Sequence, residues 1–242
     1  MIKKQSGFTF IELILTMVLS AILAGVVVEI IAGPIRAYFW YTQRSVNIDM
    51  AELSIESIKS DLDNSLPKSL IINSLPEKQE MIFRNIVYKG VLLPEQLAAG
   101  NLLLSTDVRP TVLLEDQPLF LALINPGEKQ QKLYPLTVIR SDKGWQIKSK
   151  EALPKLQKPV PFYIVTALTK YECLQNNHTL ERIALYGEKN SQTSLISNQV
   201  HDCMFTLLNG QPKGVLVSFI FGKDKAQVKL TQPLYSGKGY EE

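Results

Sequence analysis

From Leu13 to Val28 the chain carries no charge, and only Thr16 and Ser20 interrupt its apolar residues. Counted from Phe8, the run is long enough to cross a bilayer as a helix, which takes about 20 residues. Lys3 and Lys4 precede it, and one carboxylate, Glu12, sits inside its start. A charge at a bilayer centre costs roughly 2.5–3.5 kcal/mol, and less near the edge. A chain built this way is committed to a long N-terminal helix, and Glu12 needs a reason to be there.

A secretory signal is cut after its apolar core, at two small residues spaced by one. No such pair occurs between Val18 and Pro34. The run is therefore expected to stay with the mature protein. Lysines before it predict a cytoplasmic N-terminus and a C-terminal body across the membrane. A plain single-span anchor would need only the lysines and the apolar run, and leaves both Glu12 and the Gly7-Phe8 junction unexplained.

The run Gly7-Phe8-Thr9-Phe10-Ile11-Glu12-Leu13 resembles the type IV prepilin motif Gly-Phe-Thr-Leu-Ile-Glu-Leu, with Phe10 in place of the usual Leu. The resemblance implies that a prepilin peptidase cuts between Gly7 and Phe8. It also implies that the new amine of Phe8 is N-methylated. Glu12 then becomes the fifth mature residue, which in the family meets the N-terminal ammonium of a neighbouring subunit. The physics agrees, since a carboxylate in apolar surroundings survives by pairing with a cation. The family also implies a bacterial inner-membrane protein, single-pass with a periplasmic body, that later joins a pilus or pseudopilus.

The expected layout is a leader at 1–7, a transmembrane helix at 8–33, an amphipathic helix at 34–66 and a β-rich body at 67–242. Between Ile35 and Leu66 there is no Gly and no Pro, although the chain has 13 of each. Ile48, Ala51, Ile55, Ile58, Leu62 and Leu66 recur at threes and fours, with Asp49, Glu52, Glu56, Lys59 and Asp63 between them. That is an amphipathic helix with a face for covering a sheet. Gly33-Pro34 predicts a kink near the membrane exit. Many pilins bend earlier, near the position of Glu29, and this chain departs from that pattern. Tyr38, Phe39, Trp40 and Tyr41 follow as interface anchors or helix-packing residues.

Beyond Pro67, short apolar runs alternate with Pro and Gly. Strands are expected over 81–83, 111–114, 119–124, 136–140, 145–148, 162–167, 180–186, 203–208, 215–221 and 226–230. The expected class is α+β: a long N-terminal helix packed on a mostly antiparallel body of pilin or pseudopilin type. The segment from Pro154 to Pro161 is the candidate linker between two sub-sheets.

Cys173 and Cys203 lie in this body. In an exported body an even pair suggests a disulfide. Closing a loop of about 31 residues is worth roughly 3.7 kcal/mol in the chain-entropy picture. The alternatives are free thiols or a zinc site, since Cys173, His178, His201 and Cys203 are four natural ligands. Against zinc, Cys-x4-His and His-x-Cys are not standard spacings.

No phosphate loop, zinc-protease helix or calcium loop is present in the sequence. His201-Asp202 could be forced into a catalytic triad, but reads more simply as a strand-end pair. No enzyme activity and no cofactor are expected. The net charge is +3. Loss of the leader removes Lys3 and Lys4, so no nucleic-acid partner is expected either.

The order Pro161 to Val165, Cys173, Leu180 to Tyr186, Leu195 to Phe205 and Gly214 to Phe221 is similar to the C-terminal region of the MshO group. These are minor pilin-like components of mannose-sensitive haemagglutinin (MSHA) pili. The stretch from Asp61 to Ser69 also resembles that group's helix end, whereas the tail from Leu234 to Glu242 departs from it. The resemblance implies a minor pilin that initiates or caps a pilus. Its partners would be the prepilin peptidase, sibling pilins and the inner membrane. The J-type pseudopilins of type II secretion share the plan, and a pilus-tip adhesin is the alternative from another functional class.

Overall fold

A computed structural model describes residues 9–66, 68–94, 118–123, 132–141, 144–185, 191–209 and 214–236. Lys3, Lys4, Gly7 and Phe8 lie outside the described residues, as does the strand expected at 111–114.

The apolar run and the amphipathic stretch form one helix, α1, Phe10–Asp63, of 54 residues. At about 1.5 Å per residue it is about 81 Å long. Pro34 lies inside it. The helix stops at Asp63, three residues short of the expected Leu66, because the chain is taken up by the sheet. Ile86 N–H donates to the Asn64 carbonyl and Leu66 N–H to the Arg84 carbonyl, both at 2.7 Å.

Among the described residues eleven strands follow, and every pairing among them is antiparallel. They are β1 (Ile71–Leu75), β2 (Lys78–Leu92), β3 (Leu119–Leu123), β4 (Leu133–Ser141), β5 (Gly144–Ser149) and β6 (Val160–Leu174). Then come β7 (Thr179–Leu185), β8 (Ser191–Ser197), β9 (Val200–Leu208), β10 (Gly214–Phe221) and β11 (Val228–Tyr235). A single 3-10 turn, Asp224–Ala226, separates β10 from β11.

Eight strands make one sheet, with β2 and β6 as its spine. The other edge of β6 pairs with β3 in its first half and with β7 in its second. β4 and β5 continue beyond β3, and β8 lies beyond β7. The remaining three strands form a second sheet in the order β11-β10-β9. The helix packs on this small sheet and also reaches β2 and β8 of the large one.

The principal core lies between helix and sheets. Ala51, Ile55, Ile58 and Leu62 meet Met81, Phe83, Tyr171, Leu180, Phe205, Val217, Phe219 and Leu234. A second cluster lies under β3, β4 and the first half of β6, with Leu121, Tyr134 and Phe162 among its members.

The sequence expectations at 119–124, 136–140, 145–148, 162–167, 180–186, 203–208 and 215–221 fall on β3, β4, β5, β6, β7, β9 and β10, with 124 and 186 outside the described residues. Four points need correction. The expected strand at 81–83 is only the middle of the 15-residue β2. β1 and β8 were not foreseen, because Ile71-Ile-Asn-Ser-Leu75 and Ser191-Gln-Thr-Ser-Leu-Ile-Ser197 lack a clean apolar alternation. Both are mostly exposed. Ala226 belongs to the 3-10 turn, and the last strand starts later and runs through Pro233. That proline is tolerated because β11 is an edge strand of its sheet. Finally, the segment from Pro154 to Pro161 does not join two sub-sheets. It returns from β5 to β6 within one sheet, and Leu153 and Leu156 pack against the second cluster.

Candidate functional site: the N-terminal helix and its junction with the body

The first turn of α1 begins at Thr9, whose backbone is extended (φ −79°, ψ 149°). Its carbonyl accepts the first helical bonds, from Glu12 N–H at 3.1 Å and Leu13 N–H at 3.2 Å. Glu12 is thus a first-turn carboxylate, at the end of the helix that favours negative charge. It is exposed, as are Phe10, Ile11 and the apolar residues from Leu13 to Ile31. The spanning stretch is long and apolar enough to cross a membrane, and none of it is buried against the body. An isolated apolar helix of this size in water would expose far more greasy surface than a soluble chain tolerates. Half of α1 is therefore built for an environment that the chain itself does not supply.

The other half is fixed to the body at two places. At the lower one, the buried amide of Asn47 donates from Nδ2 to the Ala226 carbonyl at 2.9 Å. Gly222 lies against the same amide, with a left-handed backbone (φ +71°). A Cβ there would run into the Asn47 side chain and lie 2.9 Å from the Ala226 carbonyl oxygen, so only glycine fits. The buried stripe begins with Asn47; Ile48, expected to start it, is turned outward.

At the upper place, Asp61 meets Arg182 and Tyr171. Arg182 donates to the Asp61 carboxylate from Nε and, at 3.4 Å, from a terminal nitrogen. The Tyr171 hydroxyl donates to Asp61 Oδ2 at 2.8 Å and lies 3.2 Å from both the hydroxyl and the carbonyl oxygen of Ser57. Tyr171 and Arg182 are directly opposite on β6 and β7. Leu180, Arg182 and Ala184 alternate toward the helix, so Arg182 is a charge aimed inward. Burial, reinforced by the Asp61 charge, holds the Tyr171 phenol well above its ordinary value. Sequence reasoning missed this cluster. The available signal was an arginine at an inward position of an otherwise apolar alternation.

The cysteine expectation is met. Cys173 on β6 and Cys203 on β9 form a disulfide, with Cα atoms 6.5 Å apart, and so tie the large sheet to the small one. The zinc alternative falls with it, because both thiolates are consumed. The two histidines are nonetheless brought together, with ring centroids 4.2 Å apart. Burial and the neighbouring His178 and Lys223 lower the basicity of His201. Asp202 turns away from a triad: its Oδ1 accepts from Gln175 Nε2 and from Cys203 N–H, both at 2.8 Å.

The motif at the head of the helix is matched independently. A family model for the prokaryotic N-terminal methylation motif covers residues 2–28. The head of the chain therefore carries a prepilin-type methylation motif. The match takes in Lys3, Lys4, the Gly7-Phe8 junction, Glu12 and the apolar run, and stops at Val28. No curated protein and no solved structure matches the chain. The prepilin-like assignment thus rests on the N-terminal motif, and the α+β architecture on the geometry.

Proposed function

We propose that this chain is a minor pilin or pseudopilin, cut between Gly7 and Phe8, N-methylated at Phe8, and drawn into a filament through its N-terminal helix. The observation that carries this reading is a methylation motif at the head of a helix whose first half is bare while its second half is fixed to a β body. In this reading residues 1–7 are the leader, the bare half lies in the inner membrane before assembly, and the body stands on the periplasmic side. Glu12, exposed in the first turn, pairs with the N-terminal ammonium of a neighbouring subunit. That exchange replaces an isolated charge in an apolar layer with an ion pair. Of the machines that use such subunits, we favour an MSHA-like pilus with this chain at the initiating or capping position, on the resemblances at 61–69 and 161–221. The function is structural, and the partners are the prepilin peptidase and sibling pilins.

N-terminal mass spectrometry of protein taken from its native membrane tests the processing. N-methyl-Phe8 is expected as the first residue, and an intact Met1 start refutes the reading. Glu12→Ala is expected to leave cleavage intact and to reduce recovery in sheared filaments at least tenfold. Wild-type recovery would remove the role given to Glu12.

A further inference from the structure

Below Asn47, the body-facing side of α1 continues through Trp40 and Arg36. Spacings of four and seven residues keep these three positions on one face. The body reaches down to this face. Lys225, in the 3-10 turn, places its Nζ 4.3 Å from the centroid of the Trp40 ring. The turn is not free to swing away, because the Asn47 amide holds the Ala226 carbonyl and Gly222 fits against that amide. Arg36, on the same face, donates from Nε to the Ala32 carbonyl at 3.2 Å. Its Cα lies about 6 Å of helix rise below that of Trp40. One helix face therefore presents an indole with a body cation over its ring and, one turn below, a cation of the helix itself.

The depth of this surface follows from the apolar run. Between Glu12 and Arg36 the only charge is Glu29. That interval rises about 35 Å, slightly more than the ~30 Å hydrocarbon core. Arg36 is the first cation past the core, and Trp40 stands one turn further out, at headgroup level. Tyr38, Phe39 and Tyr41 are exposed around the same turn, as aromatic residues at a membrane boundary are.

We propose that the basic and aromatic surface formed by Arg36, Trp40 and Lys225 holds the phosphate of an anionic phospholipid headgroup. Arg44 on the helix and Lys223 beside the turn add to the positive field. The opposing carboxylates are Asp224, next to Lys225, and Glu29, two turns below Arg36. Cations of the body and of the helix would share one ligand, so the lipid would fix how the body sits over the membrane before assembly. The proposal rests on α1 being membrane-inserted.

The test uses the full chain in vesicles of phosphatidylcholine with phosphatidylglycerol. Flotation scores insertion, and native mass spectrometry after detergent extraction scores the lipids retained. Wild type is expected to float and to retain phosphatidylglycerol in preference to phosphatidylcholine. Arg36→Gln and Lys225→Gln are each expected to float normally and to lower that preference about fivefold, the value of one surface cation. Lys59→Gln, on the exposed side of the helix, is expected to leave it unchanged. Flotation with no phosphatidylglycerol preference overturns the site alone, as does an equal loss in Lys59→Gln. Displacement of the lipid by free glycerol phosphate would reassign the surface to a soluble anion and also overturns it. Failure of wild type to float overturns the membrane reading and the site with it.

Discussion

Replacing Asp61 by Ala is expected to loosen the body from its helix. The carboxylate accepts from a guanidinium and a phenol, and its side chain is only 20% exposed, against 29% for Arg182. A hydrogen bond to a charged group contributes about 1.5–3 kcal/mol. Breaking a fully buried pair costs about 3–5 kcal/mol because the partner is stranded. Partial exposure lets water solvate Arg182 after the loss, and Tyr171 keeps Ser57 as a partner. The expected cost is therefore about 2–3 kcal/mol. For a body of this size that lowers Tm by about 5–10 °C. The assay is thermal and urea unfolding of the full chain in detergent micelles, followed by near-ultraviolet circular dichroism. A double-mutant cycle with Arg182→Met isolates the pair, and a coupling of at least 1 kcal/mol is expected. A loss below about 0.5 kcal/mol in Asp61→Ala would place the pair with ordinary surface bridges and refute the reasoning.

Three further outcomes are expected. Gly222→Ala should cost about 2–3 kcal/mol in the same unfolding assay, from the left-handed backbone and the encroachment on Asn47, whereas Asn47→Ala/Gly222→Ala together should recover part of it. Removing the disulfide with Cys173→Ala/Cys203→Ala should cost about 3.7 kcal/mol, read as a lower urea midpoint, and an unchanged midpoint would remove the tie between the sheets as a source of stability. The phenol of Tyr171 titrates higher in the folded chain than its ordinary value near 10. Its contribution is complete below pH 10 and is lost as pH rises toward the folded value, because the unfolded chain ionises first. Stability should therefore fall above about pH 10, and Tyr171→Phe should flatten that decline in a pH series of urea midpoints.

The helix was the most legible element, because its apolar run and its stripe each obey a single period over many residues. The stripe from Ala51 to Leu62 is buried as its spacing requires. Its lower end was misplaced by one residue, since a buried Asn47 can be recognised only from the carbonyl it meets 179 positions away. Central strands such as β10 announced themselves by apolar density, whereas β1 and β8 lie exposed and give no such signal. The disulfide could be foreseen from parity and from the expected compartment. For the Asp61–Arg182–Tyr171 cluster the sequence offered only Arg182 at an inward position, and its partners emerge only from the strand register and the helix packing.

The principal core has a consequence for the order in which the chain can fold. Its apolar stripe is made at residues 51–62, yet much of the surface that covers it comes from β9, β10 and β11, the last strands of the chain. During synthesis the stripe is left uncovered until β9, β10 and β11, which begin at Val200, have emerged. Contacts this distant in sequence make folding slow and leave apolar surface open while it waits. The helix is thus first to be made and among the last to be sheltered. A chain shortened before β10 would keep its long helix and lose strands that close over it.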